Sequence, residues 1–203
     1  MIDSYRTLAA EAKGRITRKK SRFLAFVHSV GSLEEIDELI GEIRRTHHDA
    51  SHHCTAYRLV SSPEPIVASD DAGEPSGSAG PPILRRLEEA DLLNVLAVVV
   101  RYFGGTKLGI GGLIRAYGDA VDAAFEGARF VVRRVTVDLL IRFPPDVNSG
   151  VMATIHRCGA DVQDVRFHES AEVRVKLPPS GVPAFREAIR EATGDRASTE
   201  VLG

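Results

Sequence analysis

The sequence predicts an α+β protein of two domains, residues 1–134 and 135–203. Three observations carry this. Short β-branched apolar runs alternate with stretches whose apolar residues recur every three or four positions. The pattern shifts character at Arg133-Arg134. Beyond that point the remaining residues read strand, helix, strand, strand, helix, strand, the order of a ferredoxin-like split βαβ unit.

Each element follows from local chemistry. Phe23 to Val30 reads as a strand. Ser32-Leu33-Glu34-Glu35 is a capping box, so a helix follows with Leu33, Ile36, Leu39, Ile40 and Ile43 on one face. Thr55 to Val60 is a weakly alternating strand. Ser61 to Pro82 is rich in Ser, Pro, Gly and Asp and is expected to be a loop with little regular structure. A short helix is expected over Ile83 to Glu89. Asn94 to Phe103 is β-branched and continuously apolar, the mark of a central strand covered on both faces. Gly104 to Gly112 is a glycine-rich turn. Leu113, Ile114, Tyr117, Ala120, Val121, Ala124 and Phe125 then line an amphipathic helix, with Arg115, Asp119, Asp122 and Glu126 on its wet side. In the second domain, Val135 to Phe143 is a strand ended by Pro144-Pro145, and Asp146 is positioned to cap a helix running to Cys158. Val162 to His168 and Ala171 to Leu177 form a hairpin. Phe185, Ile189 and Ala192 mark a helix, and Ser198 to Leu202 a last strand.

Composition excludes several classes. With 43% apolar and 27% charged residues among 203, the chain can bury a core and is not a disordered tail. A net charge of -2 gives no overall attraction to polyanions, so nucleic-acid binding needs a local basic patch. The two cysteines, Cys54 and Cys158, fit free thiols in a reducing compartment. The N-terminus lacks the basic-then-apolar pattern of a signal peptide. The longest apolar run, Val95 to Val100, falls far short of the ~20 residues a membrane span needs. The expectation is a cytoplasmic protein with no membrane contact.

Four constellations could carry chemistry. His47-His48-Asp49-Ala50-Ser51-His52-His53-Cys54 holds four of the seven histidines and a thiol. His48 and His52 would share a helix face, and zinc accepts N and S ligands. His52 and Cys54 would share a strand face, as a Cys–His nucleophile pair requires. A helix end leading into a strand explains the same residues without chemistry. No metal site is specified, since no His-Glu-x-x-His and no second Cys pair is present. The segment Asp70 to Gly80 gathers Asp71, Glu74 and Ser76 in a small-residue loop. Its carboxylates could hold a hard cation, yet it lacks the EF-hand spacing; turn chemistry is the alternative, and the length of the segment favours a functional surface over it. Arg101 to Arg115 places Arg101, Lys107 and Arg115 around Gly104, Gly105, Gly109, Gly111 and Gly112. Glycines after a strand let backbone N–H groups approach a ligand, and the following helix N-terminus favours an anion. Thr106 precedes Lys107, so this is no Walker A; Ile114 occupies the third Rossmann glycine, so no nucleotide cofactor is specified. An exposed phosphate contact, as in RNA, fits; so does a connection whose glycines serve geometry alone. Finally, Lys13 to Arg22 carries six basic residues and no acid, a solvated face unless it adjoins the glycine-rich turn.

Taken together, Lys20-Ser21-Arg22-Phe23, His47-x-x-Ala50-x-His52-x-Cys54-x-Ala56-Tyr57, Gly73-Glu74-Pro75-Ser76-Gly77-x-Ala79-Gly80 and Arg101-Tyr102-Phe103-Gly104-Gly105-x-Lys107-Leu108-Gly109-x-Gly111-Gly112-Leu113-x-Arg115-Ala116-Tyr117-Gly118 resemble the IMPACT/YigZ family. The resemblance runs through most of residues 18–125. It implies a ribosomal protein S5 domain 2-like N-terminal domain. It also implies a C-terminal domain similar to domain V of elongation factor G. Eukaryotic members regulate translation by competing for an activator of an initiation-factor kinase, and bacterial members have been suggested on fold grounds to bind nucleic acid. Three positions depart. Ala72 stands where a second acid is common, Pro81 where a basic residue is common, and Ser78 replaces Thr.

The leading expectation is a non-enzymatic translation regulator that binds RNA, the ribosome or a translation factor. Arg101, Lys107 and Arg115 would contact phosphate, with the Asp71–Glu74–Ser76 loop shaping the same surface. The alternatives are a protein-interaction module without RNA contact, and a hydrolase using His47, His52 or Cys54 with Glu74. No cofactor is expected.

Overall fold

The structure, a computed structural model, describes residues 1–167 and 171–202. It is a mixed α+β chain that divides into two compact units. One comprises residues 5–133; the other, residues 1–4 with 134–203.

The larger unit is built on a five-stranded sheet. Its strands are β2 (Ala12–Arg18), β3 (Ser21–Ser29), β4 (His52–Leu59), β5 (Ile66–Asp70) and β6 (Val95–Tyr102), in the order β2-β3-β6-β4-β5. Neighbours pair antiparallel throughout. β6 is central and all but its last residue are buried, as its unbroken apolar run requires. Successive side chains of a strand alternate faces, so β6 serves two cores. Val95, Ala97 and Val99 pack with Phe23, Cys54 and Tyr117 beneath α2 (Gly80–Glu89) and α3 (Ile110–Phe125). Leu96, Val98 and Val100 pack with Ile36 and Ile43 of α1 (Leu33–Thr46) on the other face. The capping box forms: Ser32 Oγ accepts the Glu35 N–H, and the Glu35 carboxylate accepts the Gly31 N–H at 2.7 Å. β1 (Ser4–Leu8) and β7 (Phe130–Arg134) make a separate two-stranded ribbon.

The second unit runs β8 (Val137–Phe143), α4 (Asn148–Arg157), β9 (Asp161–Phe167), β10 (Ala171–Leu177), α5 (Val182–Thr193) and β11 (Ser198–Leu202). The sheet order is β11-β8-β10-β9. Leu139, Ile141, Phe143, Val173 and Val175 face Val151, Ile155, Phe185 and Ile189 of the helices. The opposite sheet face carries charge: Arg142 sits between Glu172 and Glu200 at 2.8 Å each.

Several expectations are corrected. Ser61 to Pro82 is not a structureless loop: β5 lies inside it and α2 begins at Gly80. β5 is short, half-polar and at the sheet edge, where alternation is faint. The basic stretch Lys13 to Arg22 is most of β2 and the start of β3, which the sequence pattern does not mark as strand; its six basic residues are exposed, as expected of a solvated face. Asp146 does not cap α4. A 3-10 turn over Pro145–Val147 intervenes, Val147 takes the N-cap position, and the Asp146 carboxylate pairs with Arg196 instead. The expected strand end at His168 lies outside the described residues.

Candidate functional site

The site begins with strand register. In the antiparallel sheet Arg101 of β6 stands opposite Phe23 of β3 and opposite His52 of β4. These three continue the row that also holds Val99 and Cys54, so all point toward α3. A charged side chain is thereby driven into the rim of the apolar core. Arg101 keeps only 5% of its surface exposed. Its guanidinium lies between two rings, 5.5 Å from the Phe23 centroid and 5.4 Å from that of Phe103.

A buried ion must be paired. Glu74 provides the partner, with Oε1 2.6 Å from Arg101 Nη1. The same oxygen accepts the Tyr117 hydroxyl at 2.7 Å and lies 3.8 Å from His52 Nε2. Tyr117 comes from α3, edge-on to Phe23, and its hydroxyl oxygen lies 3.3 Å from Cys54 Sγ. Burial, together with Cys54 and Glu74, pushes the Tyr117 phenol well above its usual range. Arg101 Nε is buried and finds no partner among the described residues.

The loop that delivers Glu74 is held by Asp71. Its carboxylate accepts the backbone N–H groups of Gly77, Ala79 and Gly80 at 2.7–2.9 Å. Partial burial alone would raise the Asp71 pKa, but these N–H bonds outweigh it and hold it low. His52 joins the loop through Nδ1, 3.0 Å from the Ala72 carbonyl oxygen. That bond places the proton on Nδ1 in the neutral ring and leaves Nε2 as an acceptor.

A pocket of about 360 Å³ opens over this floor. His52, Glu74, Pro75 and Arg101 line it, with Phe103, Lys107, Leu108 and the first turn of α3 from Gly109 to Leu113. Gly109 holds φ +73° at the N-cap of α3, where no side chain caps the free N–H groups. Gly104 serves a different geometry. A Cβ there would lie 2.1 Å from the Lys20 carbonyl carbon, so the strand-to-helix turn rests directly on the β2–β3 turn. Gly104 also donates its N–H to Ser21 Oγ at 3.1 Å. Lys19 and Lys20, with Arg22 stacked 4.5 Å over the Tyr102 ring, thus adjoin the glycine-rich turn. Lys107 and Arg115 are exposed as well, and the Arg115 guanidinium folds back toward Gly111. Gly105 and Gly111 are exposed, and Gly112 abuts Leu108.

Several expected site residues take other places. Arg101 is buried against Glu74 and is not an exposed phosphate contact. Cys54 does not lie on a surface loop; it is fully buried on β4, and burial pushes its thiol up to about 12, away from the thiolate a nucleophile needs. His52 and Cys54 do share a strand face. His48 and His52 share no helix face, because α1 ends at Thr46. His47 caps α1 and lies 2.9 Å from the Tyr102 hydroxyl, its ring against Phe26 on the α1 face of the sheet. Ser76 is exposed in its turn. Among the described residues no three or more His, Cys, Asp or Glu side chains gather as a metal site. No helix described is long and apolar enough to cross a membrane. Sequence reasoning missed Phe23, Phe103 and Tyr117 as site residues. Tyr117 alone had a signal: a hydroxyl within an apolar helix stripe needs a buried partner.

Residues 19–125 match the family model described as the Impact N-terminal domain. The chain belongs to the IMPACT family. Its similarity reaches beyond that domain: IMPACT family member YvyE of Bacillus subtilis (strain 168) is 41% identical over 97% of this chain and 90% of its own length. IMPACT family member YigZ of Escherichia coli (strain K12) is 30% identical over 91% of this chain and 90% of its own. Protein IMPACT homolog of Schizosaccharomyces pombe (strain 972 / ATCC 24843) is 32% identical over 46% of this chain. A solved structure described only as that of an hypothetical protein superposes with a TM-score of 0.70 at 27% identity, covering 100% of this chain and 99% of that one. The pocket and basic rim both fall inside the segment matching the IMPACT family model.

Proposed function

We propose that this IMPACT family protein is a translation-associated, non-enzymatic binding protein that grips RNA by its phosphates. The coarse role rests on the family; the RNA contact rests on one observation. Gly104 sits on the Lys20–Ser21 backbone, so the basic β2–β3 turn and the glycine-rich turn are a single surface. Lys19, Lys20, Lys107 and Arg115 are all exposed there. The chain as a whole is slightly acidic, so such a local concentration is what polyanion binding needs. In this reading Arg101 positions the surface from below and touches no phosphate. Residues 1–134 are the S5 domain 2-like domain, residues 135–203 the ferredoxin-like one, and the protein works in the cytoplasm. The buried thiol of Cys54 speaks against the hydrolase alternative.

The test is co-sedimentation with ribosomes and with tRNA across a salt series. The wild type should bind with a steep salt dependence. A Lys19→Ala/Lys20→Ala/Lys107→Ala/Arg115→Ala variant should lose affinity and flatten the slope of log affinity against log salt by roughly 3, since each single-strand contact contributes about 0.7. Equal binding by the variant, or binding indifferent to salt, would sink the RNA reading and favour a protein partner.

A further inference from the structure

We propose that the pocket between Phe103 and the first turn of α3 holds one unpaired nucleotide of the bound RNA, with its base stacked on Phe103 and its phosphate at Lys107 and the α3 N-terminus. The inference rests on the RNA reading above and names what that surface selects.

Size, apolar walls and charge agree on this occupant. At about 360 Å³ the pocket lies at the low end of ligand sites, roughly 300–1,000 Å³, room for a single nucleotide and not for paired bases. Phe103 is 50% exposed and Ile110 60%, an unusual pairing of large apolar groups at a polar rim. The Phe103 ring is already within cation–π reach of the Arg101 guanidinium, 5.4 Å from its centroid. Unpaired bases are captured by stacking on such aromatic and guanidinium planes. Leu108 and Leu113 complete an apolar wall.

The polar groups divide into two ends. At one end, exposed Lys107 precedes the uncapped N-terminus of α3, a setting for phosphate. At the other, the Glu74 carboxylate is an acceptor, and so is His52 Nε2 in the neutral ring whose Nδ1–H is committed to the Ala72 carbonyl. Acceptors at the inner end suit a base that presents an amino group. The charges also leave a surplus for an anion, since Glu74 is already neutralised by Arg101. Arg101 lines the pocket with its side chain 94% buried, and its Nε–H has no partner among the described residues. Finally, Phe103 is joined in sequence to Gly104, so the pocket mouth is continuous with the basic rim on which a strand would run.

The experiment is isothermal titration calorimetry of the full chain with AMP, CMP, GMP and UMP, with inorganic phosphate as the control. Amide shifts in a nitrogen-edited NMR spectrum locate the site. The amino-bearing nucleotides should bind more tightly than UMP and than phosphate, and should shift Phe103 and Lys107 to Leu113. Phe103→Ala should weaken them at least about tenfold, the scale of one base–aromatic stack. Lys107→Ala should weaken nucleotide and phosphate alike. No nucleotide binding tighter than phosphate, undiminished binding in Phe103→Ala, or shifts elsewhere would overturn the proposal. The two readings fail separately. Nucleotide binding without ribosome or tRNA binding keeps the pocket and sinks the RNA surface, whereas RNA binding without nucleotide binding sinks the pocket alone.

Discussion

The two units handle charge in opposite ways. In the N-terminal unit, Glu74 and Arg101 meet at 2.6 Å with side chains 3% and 6% exposed. In the C-terminal unit, Arg142 meets Glu172 and Glu200 at 2.8 Å, but on an open sheet face with 46%, 31% and 59% exposed. The atoms and distances are nearly the same. Water makes the difference: an exposed pair is screened and contributes little, whereas a buried one is expensive to break. The cysteines repeat the contrast, Cys54 buried beside Tyr117 and Cys158 exposed after α4. Buried charge lines the N-terminal unit's pocket; exposed charge merely dresses the C-terminal sheet. A fold that only needed solubility would have no reason to bury Glu74.

Thiol labelling gives the largest expected effect. With its thiol pushed up to about 12, Cys54 is almost wholly protonated at neutral pH. One thiol per native chain should react with iodoacetamide at ordinary speed, and the second about a thousandfold more slowly, since only the thiolate attacks. Mass spectrometry should place the fast label on Cys158; equal labelling of both would dissolve the contrast. Next in size, Glu74→Ala leaves the Arg101 cation buried without its partner. Urea denaturation should show a loss of about 3–5 kcal/mol, and a loss within 1 kcal/mol would mean the guanidinium escapes to water.

An acid-side effect should also belong to the N-terminal unit. Burial lowers the pKa of His28, despite Glu11, Glu42 and Glu35 nearby, which raise it; Lys13 lowers it further. Its folded pKa thus lies below the unfolded value of 6.5. As pH falls through 6.5 the unfolded chain takes up a proton that the folded chain refuses, so stability is full above that pH and declines below it. His28→Gln should flatten this part of the stability–pH curve, and an unchanged slope would assign the loss elsewhere. The smallest effect is expected from Glu172→Ala on the exposed ladder, about 0.2–1 kcal/mol. A larger one would show that open-face pairs here matter as much as the buried one.

Much of this protein is legible in its amino-acid order. Val95 to Val100 had to be a central strand, because no polar side chain leaves a face for water. Ser32 and Glu35 announced α1, because capping is local chemistry. The spacing of Leu113, Tyr117, Ala120, Val121 and Ala124 marked the buried stripe of α3, and the motif around Gly104 to Gly112 marked the segment that matters. β1, β2, β5 and β7 escaped because an edge or ribbon strand, half wetted, has too few apolar positions to show a period.

The site itself was decided only in three dimensions. Residue order places Arg101 among basic residues beside a glycine-rich turn, where an exposed role is the natural expectation. Antiparallel register instead sets it opposite Phe23 and His52, and face alternation turns it inward. The loop pinned by Asp71 then brings Glu74 to it from 27 residues away. Likewise the bond from Gly104 to Ser21 spans 83 residues, and with the close approach of Gly104 to Lys20 it brings two basic segments together. Local propensity determines which residues form strands and helices. Which charge is buried, which is free, and what pocket lies between them depend on contacts distant in sequence, and only packing fixes those.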